Sequence, residues 1–257
     1  MIDRLDAEIL LAEVLQCSRA TLIAHSERVL TQDETHRYQE YMTRRKKGEP
    51  VAYILGRKEF WSLELKVTPD TLIPRSETEL IVEQVLTLFP DKKTKRVIAD
   101  LGTGSGAVAL ALAHEYPTWE IHATDQSSAA LKVAFENAAH LGITNIQFHQ
   151  GSWCKALPLI YFDAIVSNPP YLSVQETSPP FEPSSALFSG SDGLDAIREI
   201  ASESKKFLKT GGYLILEHGY TQAQQVREIL KNAGYSAINS ICDLAGIERV
   251  TLSANRV

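Results

Sequence analysis

The sequence predicts an α/β protein whose larger part is a seven-stranded, mainly parallel sheet. From Arg96 onward, short apolar runs typical of strands alternate with stretches of helical periodicity, and repeated β-α units of this kind build a parallel sheet with helices on both faces. Only a short stretch around residues 244–247 lies between the last two runs. Because a parallel crossover needs about a dozen residues or more, these two strands are expected to be antiparallel neighbours.

The amino-terminal elements are expected to be helices followed by a hairpin. The first ~50 residues have apolar side chains at helical spacing, and Thr31 with Glu34 forms a capping box that predicts the start of a charged helix. Alternating apolar and polar residues at 58–73 are typical of a β-hairpin. Ser76 and Glu79 match a second capping box, which predicts a further helix.

The remaining elements follow from the same patterns. The expected strands are residues 97–101, 120–125, 146–150, 162–167, 213–217, 237–242 and 249–253. The expected helices are residues 107–115, 128–141, 194–208 and 222–232, with stops at Gly142, Gly211-Gly212 and Gly234. Residues 173–192, rich in Pro and Ser, form an irregular stretch typical of a functional lid. We expect three parts: a small helical domain at 1–57, a β-hairpin connector at 58–74 and the α/β domain at 75–257.

Composition excludes several classes of function. The chain has 257 residues, is 44% hydrophobic and has a net charge of −6, which permits a substantial core and argues against a sequence-independent grip on nucleic-acid phosphates. The three cysteines show no C-x-x-C spacing, so neither a disulfide framework nor a metal site is expected. The charged amino terminus and the lack of a long apolar run predict a cytoplasmic protein without a membrane segment.

The most informative motif is Asn168-Pro-Pro-Tyr171, directly after the apolar run at 162–167. Two consecutive prolines remove two backbone N–H donors, so the turn presents acceptors: the Asn168 side-chain oxygen and nearby carbonyls. Such a turn suits a planar –NH2 group, which offers two donors, and Tyr171 supplies a ring to stack on it. We therefore expect Asn168, Pro169, Pro170 and Tyr171 to hold a planar amine.

A glycine-rich turn, Asp100-Leu-Gly-Thr-Gly-Ser-Gly106, joins the first strand of the sheet to a helix. Glycines at 102, 104 and 106 let the backbone turn sharply and approach a ligand closely. Nicotinamide, flavin and S-adenosylmethionine binders share such turns. The spacing favours the last, because a G-x-G-x-x-G pattern would need glycine at position 107, which is alanine. Asp100 supplies an acid that suits a sulfonium cofactor.

Two further side chains are candidates for contacts to an adenosine. Asp125 closes the second strand, where a carboxylate can accept both ribose hydroxyls. Asp125 is also placed to cap the helix that begins near Ser128. Trp153 follows the third strand, where an aromatic ring can lie along an adenine face or belong only to the core.

Together with two other segments, these motifs resemble those of one family. The segments are Leu72-Ile-Pro-Arg-Ser-Glu-Thr-Glu79 and Glu217-His-Gly219. The chain resembles the HemK/PrmC-type release factor glutamine methyltransferases over nearly its whole length. The resemblance implies a Rossmann-like class I methyltransferase sheet joined by a β-hairpin to a small helical substrate-recognition domain. It implies methyl transfer from S-adenosylmethionine, leaving S-adenosylhomocysteine, to the glutamine amide of the Gly-Gly-Gln motif in class I peptide chain release factors.

The resemblance also implies roles for individual residues. The cofactor would be bound by Asp100, Gly102, Thr103, Gly104, Ser105, Gly106, Asp125, Trp153 and Asn168. The glutamine would be held by Asn168, Pro169, Pro170 and Tyr171, with Asn168, Pro169 and Tyr171 taking part in catalysis. The Asn168 oxygen and the Pro169 carbonyl are expected to accept the two amide N–H bonds, so no catalytic histidine is required, and His114, His140 and His218 are expected to be surface or capping residues.

Other functions share part of these features. Methylation of a ribosomal-protein glutamine uses the same chemistry and stays open. An adenine-N6 DNA methyltransferase also acts on a planar amine, but it must flip its base and hold the backbone in a basic groove; no direct nucleic-acid specificity is expected. A nicotinamide-dependent dehydrogenase would share the glycine turn and Asp125, and a non-catalytic adenosine-binding module would too. Both would leave Asn168-Pro-Pro-Tyr171 without a role.

Overall fold

The computed structural model describes residues 2–177 and 179–256. Met1, Ser178 and Val257 lie outside the described residues. Ser178 belongs to the expected loop at 173–192, and Met1 and Val257 are the outer ends of the first and last expected domains. Within the described ranges, no helix is both long and apolar enough to cross a membrane.

Among the described residues, the amino-terminal part forms four helices. They are α1 (Arg4–Val14), α2 (Arg19–Ala24), α3 (Gln32–Lys46) and α4 (Val51–Leu55). The capping box that begins α3 is confirmed: Glu34 N donates to the Thr31 hydroxyl at 3.3 Å, and Thr31 N donates to the Glu34 carboxylate at 2.9 Å. An ion pair of 2.7 Å between Asp6 and Arg45 holds α1 against α3.

The hairpin consists of β1 (Arg57–Phe60) and β2 (Leu63–Lys66), which pair antiparallel. Its two turn residues, Trp61 and Ser62, have φ of +52° and +59°. Positive φ at both central residues is typical of the turns whose twist matches that of the strands. The inward side chains of the hairpin belong to the same core as one face of the main sheet, so the expected connector is confirmed as a hairpin.

The second expected capping box, at Ser76 and Glu79, is wrong. Ser76–Thr78 form a 3-10 turn without a side-chain cap, and α5 (Glu79–Leu88) begins directly after it. The Glu79 carboxylate instead accepts the backbone N–H of Trp61 at 2.9 Å. The Glu79 carboxylate therefore pairs with the Trp61 N–H of the hairpin turn and not with Ser76, the local partner that the sequence spacing predicted.

The main sheet has seven strands among the described residues, in the order β5-β4-β3-β6-β7-β9-β8. They are β3 (Val97–Leu101), β4 (Glu120–Asp125), β5 (Ile146–Gln150), β6 (Phe162–Ser167), β7 (Leu208–Glu217), β8 (Ser236–Cys242) and β9 (Glu248–Ala254). The first five strands in that order run parallel, and β9 is antiparallel to β7 and β8. The expected sheet and its antiparallel carboxyl-terminal pair are confirmed.

Helices cover both faces of this sheet. They are α5 together with α6 (Ala107–Glu115), α7 (Ser128–Leu141), α8 (Asp195–Ser204) and α9 (Ala223–Asn232). Side chains of α5 and α6 pack in one core with the hairpin, and those of α8 and α9 pack in a second core. The strands β3 and β6 are neighbours, but the chain continues from β3 to β4 on one side and from β6 to β7 on the other. Ligands of α/β sheets bind at such a switch point.

One expected helix stop is wrong. The helix expected at 194–208 ends at Ser204, and Gly211-Gly212 lie inside β7. Gly211 has φ of +81° and donates its N–H to the Asn255 carbonyl at 2.7 Å. A Cβ on Gly212 would be 3.1 Å from a backbone carbonyl of β6. The two glycines permit a close approach of three backbone segments, a tertiary contact that the sequence pattern does not contain.

Candidate active site

The candidate site lies at the carboxyl edge of β3, β4 and β6. Leu101 at the end of β3 is paired with Ser167 at the end of β6, and the Ser167 hydroxyl donates to the Leu101 carbonyl at 2.6 Å. This pairing places the glycine-rich turn after Leu101 beside the Asn168-Pro-Pro-Tyr171 turn. A cavity open to solvent lies there, lined by residues of both turns.

Most of the residues expected from the sequence line this cavity. They are Asp100, Gly102, Thr103, Gly104, Ser105, Asp125, Trp153, Asn168 and Pro170. Gly106, Pro169 and Tyr171 are not part of the lining. Gly106 instead begins α6 with φ of +87°, and a Cβ there would be 2.9 Å from Leu110 Cδ1.

The Asp100 carboxylate organises the glycine-rich turn. It accepts the Thr103 hydroxyl at 2.6 Å and the backbone N–H of Ala109, in the first turn of α6, at 3.2 Å. Burial raises the pKa of Asp100 to about 6, against the lowering effect of these two donors, and the nearby Asp125 raises it further. A buried acid with few donors favours a cation beside it, because a positive charge stabilises the ionised form.

Glycine is needed in the turn for two different reasons. A Cβ on Gly102, where φ is +72°, would lie 2.9 Å from the Trp153 ring, so glycine lets the indole pack against the backbone. At Gly104, where φ is +58°, a Cβ would meet no atom within 4 Å and would enter the cavity. Gly102 is therefore required by packing, and Gly104 leaves space for a ligand.

We expect Gly104→Ala to weaken cofactor binding by about tenfold, because its methyl group would occupy ligand space. Gly142→Ala is a matched control: Gly142 ends α7 with φ of +67° and also has no atom within 4 Å of a Cβ. Both variants should lose about 1 kcal/mol of unfolding free energy from backbone strain. Calorimetric titration with the cofactor checks this, and equal affinity losses in the two variants would refute the assignment of Gly104.

Asp125 is held by backbone donors at both oxygens. Gly104 N donates to Oδ2 and Ser127 N donates to Oδ1, each at 2.9 Å. The interpretation of Asp125 as the helix cap is wrong, since the Ser127 hydroxyl caps α7 by accepting from Ala130 N at 3.1 Å. Burial raises the pKa of Asp125. Each carboxylate oxygen can accept more than one hydrogen bond, so hydroxyl groups of a ligand remain acceptable partners.

Asn168 presents a side-chain oxygen without a partner. Its Nδ2 donates to the Thr78 hydroxyl oxygen at 3.0 Å, whereas its Oδ1 is buried and has no hydrogen bond among the described residues. A buried acceptor left unpaired costs free energy of about 1–3 kcal/mol. The site therefore contains an acceptor that a ligand N–H group would satisfy.

The backbone of Tyr171 is held in place by the side chain of Gln222. Gln222 Nε2 donates to the Tyr171 carbonyl at 3.0 Å, and the Gln222 Oε1 accepts from Gly219 N at 2.8 Å. Burial raises the pKa of Tyr171 to about 12, and the negative charge of Glu217 raises it further. The stacking role expected for this ring stays a prediction.

Three functional or structural residues were missed or misplaced by the sequence reasoning. Thr78 and Glu217 contribute to the surroundings of Asn168, and neither was assigned a role. His218 was expected to be a surface or capping residue, but it is fully buried and its Nε2 lies 2.9 Å from the Thr251 hydroxyl oxygen. The signal for Glu217 and His218 was their position at the end of β7, next to β6 at the switch point. Thr78 lies in the 3-10 turn before α5 and had no such signal.

The irregular loop forms one wall of the cavity. Its residues Pro183, Ser185 and Ala186 line the cavity. The buried carboxylate of Glu182 accepts Ile73 N at 3.2 Å and pairs with Arg75 at 2.6 Å. The loop is therefore attached to the segment that joins the hairpin to α5, as a lid beside the site would be.

Among the described residues, no group of three or more His, Cys, Asp or Glu side chains could hold a metal ion. Cys154 is buried, which raises the pKa of its thiol to about 12, and Cys17 and Cys242 are free cysteines elsewhere.

Comparisons with known proteins agree with this geometry. Residues 2–56 match the family model described as PrmC N-terminal domain, and residues 91–252 match one described as methyltransferase domain. A release factor glutamine methyltransferase of Coxiella burnetii is 52% identical over 97% of this chain and 91% of its own length. The release factor glutamine methyltransferase of Escherichia coli K12 is 44% identical over 97% of this chain and 91% of its own length. The chain belongs to the release factor glutamine methyltransferase family.

Solved structures show the same fold at low sequence identity. A methyltransferase from Pyrococcus furiosus superposes with a TM-score of 0.58 at 17% identity, covering 85% of this chain and all of that one. A 16S rRNA methyltransferase of T. thermophilus, in complex with AdoMet and guanosine, has a TM-score of 0.57 at 18% identity, with coverages of 78% and 50%. The expected Rossmann-like class I methyltransferase fold is thereby confirmed, and the relatives at 52% and 44% identity confirm the expected family.

Proposed function

We infer that this protein transfers a methyl group from S-adenosylmethionine to the side-chain amide nitrogen of the glutamine in the Gly-Gly-Gln motif of class I peptide chain release factors. Membership of the family supports the reaction. The single structural observation that carries it is the buried Oδ1 of Asn168, to which residues 2–177 and 179–256 offer no hydrogen bond, in a cavity that the glycine-rich turn also lines.

The cavity residues fit S-adenosylmethionine, which supplies an electrophilic methyl group on a cationic sulfur. Asp100 and Asp125 place two carboxylates in the lining, and carboxylates stabilise a cation. Gly104 leaves room for the ligand, and Trp153 offers an apolar ring. We propose that Gly102 to Gly106 and Asp100 hold the methionine portion and that Asp125 and Trp153 contact the adenosine.

We propose that Asn168 holds the substrate carboxamide. Its Oδ1 would accept one amide N–H, and the Pro169 carbonyl would accept the other, so the nitrogen is fixed in orientation. The amide nitrogen gains positive charge during methylation, and preorganised acceptors therefore bind the transition state more strongly than the ground state. The protonated N-methyl amide is acidic enough to lose its proton to water, so no histidine is assigned a catalytic role.

Cofactor affinity is expected to fall with decreasing pH below about 6. Burial raises the pKa of Asp100 to about 6, so protons compete with a cationic ligand for this carboxylate below that value. The loss approaches about tenfold per pH unit, and the affinity is constant well above pH 6, where the group is ionised. Calorimetric titration from about pH 5 to 8 measures this. Asp100→Asn should bind more weakly and remove most of the pH dependence.

The finer features of substrate recognition are also proposals. We propose that the helical domain at 1–57 contacts the release factor, with the hairpin at 58–74 as connector and the methyltransferase domain at 75–257. The match of residues 2–56 to a separate family model supports the first boundary.

The reaction is tested by offering the enzyme several acceptors side by side. Radiolabelled methyl transfer is measured with a class I release factor, ribosomal proteins and DNA, followed by mass spectrometry of the Gly-Gly-Gln peptide. We expect one added methyl group on that glutamine. Labelling of ribosomal protein or DNA with an unmodified release factor would overturn the proposed substrate.

A further inference from the structure

A buried carboxyl lies behind the Asn168 turn and has no part in the mechanism above. Glu217 is the last residue of β7, where the preceding Leu216 pairs with Ser167 of β6. The residue is only 2% exposed, and its Oε2 has no hydrogen-bond partner among the described residues. Burying an ionisable group in this way is expensive, so its position calls for a physical reason.

Thr78 connects this carboxyl to Asn168. The Thr78 hydroxyl oxygen accepts from Asn168 Nδ2 at 3.0 Å, and Thr78 is 4% exposed. A hydroxyl has a single proton, which must be directed to another acceptor when the oxygen receives a hydrogen bond. Glu217 and Asn168 each directly follow a residue of the paired ends of β7 and β6, so the Glu217 carboxyl belongs to the surroundings of Asn168. Among the described residues, no hydrogen bond uses the Thr78 proton, and the Thr78 hydroxyl lowers the pKa of Glu217 as a nearby donor does.

The direction of these hydrogen bonds decides which way the Asn168 amide points. A side-chain amide fits its site in two orientations, exchanging the oxygen and the nitrogen. If the Thr78 proton is given to Glu217, Thr78 can only accept from Asn168, and the amide must place Nδ2 there and leave Oδ1 free. We propose that Glu217 is a positioning residue that acts through Thr78 to fix the Asn168 amide with its oxygen available to the substrate. The inference rests on the proposed function, because it assigns the substrate acceptor to that oxygen.

The proposal makes the orientation sensitive to protonation of Glu217. Burial raises its pKa to about 7, Glu77 raises it, and Arg249, Thr78 and Tyr171 lower it. The ionised carboxylate can only accept from Thr78. The neutral acid can donate to Thr78, which frees the Thr78 proton to turn toward Asn168 and permits the flipped amide. The active orientation is therefore favoured above neutral pH.

The first test is the pH profile of kcat for methyl transfer to the release factor. For the unaltered protein we expect kcat to rise through pH 7 to a plateau. Glu217→Gln keeps an acceptor but no longer titrates, so this rise should disappear. Glu217→Met and Thr78→Val remove the acceptor and the hydroxyl, and each should lower plateau kcat by roughly tenfold, the effect of one charge-assisted hydrogen bond. Thr78→Ser should restore kcat, and the double variant Glu217→Met/Thr78→Val should lose no more than either single variant.

A matched control separates positioning from stability. Asp163 is another buried carboxylate, at the opposite end of β6, where it pairs with Arg96 at 2.8 Å and Lys209 at 2.7 Å. Asp163→Asn should destabilise the fold and leave the pH profile of kcat unchanged. Loss of the pH-dependent rise in Asp163→Asn, or its persistence in Glu217→Gln, overturns the proposal.

A second readout is independent of activity. A carboxyl whose pKa is raised in the folded state contributes stability at low pH that is lost as the pH rises through the folded pKa. Relative to Glu217→Gln, the unaltered protein should therefore lose unfolding free energy between about pH 5 and pH 8. No such relative change would show that Glu217 does not titrate there and overturns the proposal. If the unaltered protein methylates no release factor, the proposed function fails instead, and this second readout still reports on Glu217.

Discussion

Asn168→Ala is expected to lower kcat by about 10²–10³-fold, the effect of removing one preorganised acceptor or donor from a transition state. The variant removes the buried Oδ1, which has no hydrogen-bond partner in the described part of the chain. Because the positive charge that this oxygen stabilises develops during the reaction, the ground state loses much less. Cofactor affinity should therefore change little, and the KM for the release factor should change less than kcat. Steady-state methyl-transfer kinetics and calorimetric titration with the cofactor measure the two effects separately.

Asn145→Ala provides the control for this experiment. Asn145 Nδ2 donates to the carbonyls of Tyr116 and Trp119 at 3.2 and 3.1 Å, away from the cavity lining. Its loss should lower the unfolding free energy and leave kcat of the folded protein unchanged. Near-normal kcat in Asn168→Ala would contradict the assignment of Asn168 as the amide acceptor.

Gly193→Ala is expected to destabilise the protein by about 3 kcal/mol, the sum of left-handed backbone strain and overpacking. Gly193 has φ of +75°, and a Cβ there would be 2.2 Å from the Tyr171 carbonyl oxygen and 2.8 Å from Gln222 Nε2. The clash is with backbone, which has no rotamer to relieve it. Since Tyr171 ends the Asn168-Pro-Pro-Tyr171 turn, the displaced backbone should also lower kcat in protein that remains folded.

Gly246→Ala isolates the contribution of backbone strain. Gly246 has φ of +78°, and a Cβ there would meet no atom within 4 Å. This control should lose only about 1 kcal/mol and keep its kcat. Denaturant unfolding and kinetics are measured on both variants. Equal losses of stability would show that the contact with Tyr171 has no energetic importance.

The strands and most helices could be predicted because their signals are local. Apolar runs and their spacing located all seven strands of the sheet, and the capping box at Thr31 and Glu34 formed as expected. The equivalent spacing at Ser76 and Glu79 failed, because the Glu79 carboxylate found the Trp61 N–H of the hairpin turn. Spacing thus predicts a local hydrogen bond only where no better partner arrives from elsewhere in the chain.

The candidate site was partly predictable for the same reason. The glycine-rich turn and the Asn168-Pro-Pro-Tyr171 turn carry their chemistry in consecutive residues, and the pairing of β3 with β6 brings them together. Glu217 and Thr78 were not assigned, since each is an ordinary residue whose role depends on its neighbours. His218, expected to be a surface or capping residue, is buried where β7 packs against β9.

The sequence by itself determined the α/β architecture and predicted a methyl-donor site and an acceptor turn, because periodicity, glycines and prolines act on the backbone where they stand. Only the tertiary structure decided which polar groups pair. Asn168 Nδ2 lies 3.0 Å from the Thr78 hydroxyl oxygen, although 90 positions separate the two residues. Hydrogen bonds between distant segments depend on strand order and register, and these are set by burial of the whole sheet rather than by any short stretch of sequence.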